Sequence, residues 1–230
     1  MSTTSDDIIL WQYVETVDLL YMIENQILPT NLASGHLETG DYFPGEEKIE
    51  NLASRCWRHI VECVSISEWY SNSYESRAMW ERNSEKPLAL KTSLTALNNS
   101  LSNSATNLEI RNVHYEDWND FSFELERNGS NYTRTSLFDI FKYKSMNYDC
   151  EDAVRVITTP SDLFSKRDDD FSYSDVADLD DPIPRTDIDF PEMVDEVIVS
   201  PYASNYIFPV LTDYLTSEYG VSSLLTKSSL

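Results

Sequence analysis

Glu151 and Arg155 stand four residues apart beside a β-branched run, and the chemistry open to them depends on the backbone beneath. On a helix they face each other as a surface ion pair; on a strand they share one face, where a carboxylate can orient a ribose hydroxyl as positive charge develops on the sugar. Lys91, next to Thr92 at the end of an expected strand, is placed to receive a phosphate with help from the following helix N-terminus, or to end a strand in water. Trp80 beside Met79 supplies a large aromatic, either a stacking platform or a core side chain. Cys56, His59 and Cys63, at i, i+3 and i+7, would line one helical face as a zinc set short of its fourth ligand, with His36, His114 and Cys150 as available donors. Ser65 and Cys63 are nucleophile types, but no signature pairs either with a histidine base. The aspartates at 168 to 170, 178, 180, 181, 187 and 189 invite a divalent cation. They lack the glycine and closing glutamate of a calcium hand and read as a solvated, self-repelling loop.

The elements that must position these groups come from a chain of 230 residues, 41% hydrophobic, which is long enough for one sizeable core. A single α+β domain over 1–230 is expected, with an acidic, loop-like insertion at 160–192. From Ser161 to Glu196 thirteen acids face three cations, so this segment dominates the acidity. Overall, 40 Asp and Glu against 17 Lys and Arg give a net charge of -23, which opposes the positive field that direct nucleic-acid binding requires. A basic protein is the partner such a surface suits, and added salt would ease its self-repulsion. No apolar run approaches a membrane span, the first residues are acidic where a signal peptide would be basic, and three cysteines fit no disulfide framework. A cytoplasmic protein with reduced thiols and no membrane contact is expected.

Apolar spacing predicts a strand at Ile8 to Val14, then a helix whose stripe is Val17, Leu20, Ile23 and Ile27, then an extended stretch around Pro29. Glu46 to Cys56 is expected as helix and Arg58 to Ile66 as strand. A helix over Glu75 to Arg82, a strand over Pro87 to Lys91 and a helix capped by Thr92 or Ser93 follow. Leu108 to Trp118 reads as one long strand with Phe121 to Leu125 as its hairpin partner, Leu137 to Met146 as helix, and Ala153 to Thr158 as strand. Glu196 to Ser200 completes the strands, and Ile207, Val210, Leu211, Tyr214 and Leu215 form the stripe of a C-terminal helix. The fold class is therefore α+β, with a mixed, largely antiparallel sheet and helices packed on it.

In order along the chain, Cys63-Val64-Ser65, Glu75-Ser76-Arg77-Ala78-Met79-Trp80, Leu88-Ala89-Leu90-Lys91-Thr92-Ser93, Val113-His114-Tyr115, Tyr148-Asp149-Cys150-Glu151 with Arg155, Val197-Ile198-Val199-Ser200-Pro201 and Tyr219-Gly220-Val221 carry a resemblance. Together they resemble the domain of unknown function 2971 family, over nearly the whole chain. The resemblance implies an α+β protein of microbes or their viruses, sometimes beside defence genes, and it implies a strand for His59 to Ser65. Ala153 stands where a second acid is expected, and Pro87 where a glycine is. The order of elements is also coarsely similar to that of ADP-ribosyltransferases. That likeness would assign Gln12 or Tyr13 to grip a nucleotide or dinucleotide, Trp80 to stack on nicotinamide and Glu151 to orient the ribose.

Two functions follow. A nucleotide-using transferase, or its degenerate relative, requires Gln12, Glu151 and Arg155 to meet Tyr13, Ser65 or Trp80 in one pocket. An acidic interaction protein requires carboxylates arrayed for a basic partner, for example by imitating nucleic acid.

Overall fold

Each strongly patterned segment of the chain becomes an element in a computed structural model, which describes residues 7–35, 43–50, 54–102, 104, 107–128, 131–133, 138–160, 170–171, 184–219 and 224–230. The elements are β1 (Ile9–Val14), α1 (Thr16–Asn25), β2 (Asn31–Leu32), β3 (Ile49–Glu50), α2 (Ser54–Cys63), β4 (Ser65–Ser71), α3 (Arg77–Arg82), β5 (Leu88–Ser93), α4 (Leu94–Leu101), β6 (Asn107–Asn112) and β7 (His114–Glu116). They continue with β8 (Phe123–Glu124), β9 (Arg127–Asn128), β10 (Asn131–Thr133), β11 (Tyr143–Ser145), β12 (Ala153–Thr159), β13 (Asp170–Phe171), α5 (Phe190–Met193), β14 (Glu196–Val199), α6 (Ile207–Tyr219) and β15 (Leu225–Lys227). The result is α+β with a mixed, mostly antiparallel sheet, as the sequence predicts. Two compact units share the chain: Met1–Pro29, Trp69–Asn103 and Asp187–Leu230 form the first, Thr30–Glu68 and Ser104–Thr186 the second.

In the first unit the strand order is β15-β14-β5-β1, then the last residues of β4. β1 runs antiparallel to β5 from Ile9 opposite Ser93 to Val14 opposite Leu88, and β14 places Glu196 opposite Lys91 on the other side of β5. β15 joins parallel to β14. Trp11, Tyr13, Trp80, Ala89 and Ile198 form a buried cluster on this sheet. α4 starts where Ser93 accepts the Ala96 N–H at 3.1 Å, the cap expected from sequence. α1 also forms as expected, with its buried face rotated from the expected stripe, of which Ile23 and Ile27 stay inside. Leu19, Met22 and Ile23 are buried, whereas Val17 is 63% exposed. In α6 Leu211 and Leu215 go inward and Val210 stays outside.

In the second unit β2 pairs antiparallel with the start of β4, and β12 pairs antiparallel with β6 from Val154 opposite Asn112 to Thr159 opposite Asn107. All seven residues of β12 are buried. The core gathers α2 against aromatic residues of distant segments: Trp57 stacks on Phe141 with centroids 5.8 Å apart, and Phe43 meets both edge-on. A parallel pair, β7 with β11, sets Lys144 opposite Tyr115.

Several expectations are corrected here. Ser54–Cys63 is one helix, not the end of a helix followed by a strand. Its β-branched residues, Ile60 and Val61, serve the buried face of α2 beside Trp57, so tertiary burial overrides their strand propensity. The long strand expected from Leu108 to Trp118 breaks at Val113 into β6 and β7, which pair with different partners. Phe123–Glu124 pairs in parallel with Ile49–Glu50 rather than as a hairpin. Among the described residues of the helix expected over Leu137 to Met146, 138–140 are helical before β11 begins. Within the acidic segment, Asp170–Phe171 pairs with Tyr132 and Thr133, and most of the rest lies outside the described residues.

Candidate functional site

Glu151 lies at the end of a 3-10 turn, Met146–Glu151, which begins where Ser145 accepts the Asn147 N–H. Asp152 then takes a left-handed φ of 47°, a conformation that aspartate tolerates, and the chain enters β12 two residues before Arg155. The pair expected on the surface is therefore buried: Glu151 is 4% exposed and Arg155 0%.

Two further charges, from residues the sequence reading did not single out, complete the arrangement. Lys144 Nζ on β11 donates to Glu151 Oε2 at 2.5 Å and to Glu68 Oε1 at 2.6 Å, and Arg155 Nε donates to Glu68 Oε2 at 2.8 Å. Arg155 Nη1 also reaches the carbonyls of Phe141 and Tyr143, at 2.8 and 3.0 Å. The Tyr148 ring lies 4.6 Å from Lys144 Nζ, and the Tyr115 hydroxyl accepts the Ala153 N–H at 2.9 Å. Burial alone would push the Glu68 carboxyl up. The charges of Arg155 and Lys144 and the hydrogen bonds both make outweigh it and hold the group at about 2. Burial chiefly raises the Tyr115 phenol, which stays protonated. Two carboxylates and two cations thus close on one another with no net charge.

Ser65, the nucleophile candidate of this unit, starts β4 opposite Leu32 and is 1% exposed. Its carbonyl accepts from Thr158, and its hydroxyl is buried without a hydrogen-bond partner among the described residues. Cys56 and Cys63 do share α2, though the side chains of Cys56 and His59 lie outside the described set, as does His36. Cys63 is buried, and among the described residues no group of three or more His, Cys, Asp or Glu is arranged to hold a metal.

Gln12, Tyr13, Trp80 and Lys91, the cofactor-binding candidates, belong to the first unit, whereas Ser65, Glu151 and Arg155 belong to the second. Trp80 is fully buried; its ring meets Tyr13 edge-on at 4.8 Å, and its indole N–H donates to Glu75 at 2.7 Å. Tyr13 is 4% exposed, and burial, with the charge of Glu75, keeps its phenol above the ordinary value. Gln12 stands on β1 opposite Leu90. Lys91 and Gln12 are half-buried, and Lys91 carries its charge to the surface. Lys91 has several neighbours there. It pairs with Glu196 at 3.1 Å, lies 5.8 Å from the Trp11 ring and lines a cleft of about 220 Å³ with Tyr74, Glu75, Thr226, Lys227 and others. Burial alone would raise Glu75, but hydrogen bonds from Ser228, Ser229 and Trp80 prevail and hold its carboxyl below the ordinary range. Among the described residues no helix is long and apolar enough to cross a membrane.

Glu68, Lys144 and Tyr115 carried one usable sequence signal: Glu68 is a lone acid in Ser65–Ser71, between Ile66 and Trp69, and an acid inside a buried strand demands a cation. Comparison with family models, with curated proteins and with solved structures finds no match.

Proposed function

We propose that this chain is an acidic interaction protein that engages a basic protein partner. The observation that carries the reading is the closure of Glu68, Lys144, Glu151 and Arg155 on one another, out of solvent. Acid–base or ribose chemistry needs a carboxylate that touches its substrate, and Glu151 is buried with its Oε2 held by Lys144 instead. The net charge of -23 lies outside this neutral cluster and is the feature left to act on another molecule. Imitation of nucleic acid is the form of binding such charge suits, with the partner's DNA-binding face as the target.

Competition tests it. A linker histone bound to fluorescent duplex DNA at about 0.15 M salt is titrated with the protein. Release of the DNA at micromolar protein is expected. Release seen only at low salt, as any polyanion would give, defeats the reading.

A second reading, a nucleotide-using transferase or its degenerate relative, draws on the cleft that carries Lys91, Lys227 and the aromatic residues Trp11 and Tyr74. Cations for phosphate beside rings for a base are what a dinucleotide requires. The resemblance to the domain of unknown function 2971 family belongs to this reading. Millimolar dinucleotide should raise the melting temperature by a few degrees, and Lys91→Ala should abolish the rise. An unchanged melting temperature removes it.

A further inference from the structure

The outer faces of α1 and α6 each present large side chains to solvent. Val17 is 63% exposed and Tyr21 43% on α1; Tyr206 is 67% and Val210 59% at the start of α6. Val17 and Tyr21 are one turn apart, as are Tyr206, Val210 and Tyr214. Tyr206 already belongs to the helical turn, since its carbonyl accepts the Val210 N–H at 3.1 Å. The two rows are joined by a hydrogen bond from the Tyr214 hydroxyl to Glu24 at 2.7 Å, and Glu24 lies one turn beyond Tyr21.

The charge that α1 and α6 themselves carry has one sign, and a cation from β15, Lys227, lies 4.8 Å from the Phe208 ring at the start of α6. Glu15, Asp18 and Glu24 border the α1 part, Asp213 and Glu218 the α6 part, and neither helix contains a lysine or arginine. Tyrosine gives large contact area for two rotatable side-chain angles and can hydrogen-bond at its tip, which is why it anchors protein interfaces. Acids at the edge of such a row favour a partner whose own apolar ridge is edged by cations.

We propose that α1 and α6 form a docking face for a basic amphipathic helix of a protein partner: apolar residues at i, i+3, i+4 and i+7 lie along Tyr21, Tyr206 and Val210, and flanking Lys or Arg meet the acids. The inference rests on the interaction reading above and gives it a location.

The probe is a helical peptide of about 18 residues with leucine at the ridge positions and lysine elsewhere, alongside oligolysine of equal length, each followed by fluorescence anisotropy at about 0.15 M salt. The full chain should bind the amphipathic peptide at least about tenfold more tightly than oligolysine. Tyr206→Ser with Val210→Ser, and separately Tyr21→Ser, should remove about tenfold of that affinity and leave oligolysine binding unchanged. These positions are exposed, so circular dichroism should remain that of the parent. Tight peptide binding that the serine variants do not weaken overturns the docking face while the charge-based reading stands. Equal binding of the two probes also overturns the face. Failure of both probes to bind overturns the face and the interaction reading together. A dimer of the chain that the same variants dissolve would assign the row to a second copy instead and overturn the proposal.

Discussion

Arg155→Met lowers the free energy of unfolding by about 3–5 kcal/mol, the cost of breaking a buried ion network from one side. Arg155 is fully buried and gives hydrogen bonds to Glu68 and to the carbonyls of Phe141 and Tyr143. A methionine fills much of the volume but leaves one Glu68 oxygen and two carbonyls without their donor. Each buried acceptor so stranded costs about 1–3 kcal/mol. Replacing all four charges together, Glu68→Leu, Lys144→Met, Glu151→Leu and Arg155→Met, should recover most of the loss, because no charge is then left to desolvate. Urea unfolding of the two variants measures both effects. A loss under about 1 kcal/mol for the single change would mean that the cluster is wetter or looser than its geometry indicates.

The same cluster sets a pH dependence. Glu68 is held at about 2 in the folded chain against an ordinary value of 4.5. A group whose folded value is lowered stabilises the fold fully above the unfolded value, and that contribution disappears as pH falls through the folded one. Stability should therefore decline between about pH 4.5 and pH 2, by about 3 kcal/mol from this residue alone. Glu68→Gln should be less stable at neutral pH and show a flatter decline across that window. Unfolding free energies measured from pH 6 down to pH 2 on both proteins would decide it; parallel curves would mean that other carboxylates carry the acid sensitivity.

How much of this was legible along the chain varied with the range of the forces involved. α1, α4 and α6, together with β1, β5, β12 and β14, are local objects, set by apolar spacing and caps such as Ser93, and they lie within a residue or two of where that spacing puts them. Ile60 and Val61 misled because β-branched residues serve a helix as well as a strand once an aromatic core waits beside them. Val17 and Val210 were expected inside because periodicity reports a helix but leaves open which of two adjacent stripes the sheet will cover.

For the site, Glu151 and Arg155 were readable as a pair worth attention, since opposite charges at that spacing share one face on a helix or a strand. Their burial was not readable. It depends on Glu68, which precedes Arg155 by 87 residues, and on Lys144, which precedes Glu151 by seven in a stretch that looked helical. The acidity, the mixed α+β character and the identity of the outstanding charged and aromatic residues are properties of composition and short-range pattern, so the amino-acid order determined them unaided. Which of those residues face water was decided only by the tertiary structure. Neutralising four charges out of solvent, and leaving Tyr21, Tyr206 and Val210 outside, are outcomes of long-range packing and desolvation, which no local pattern encodes.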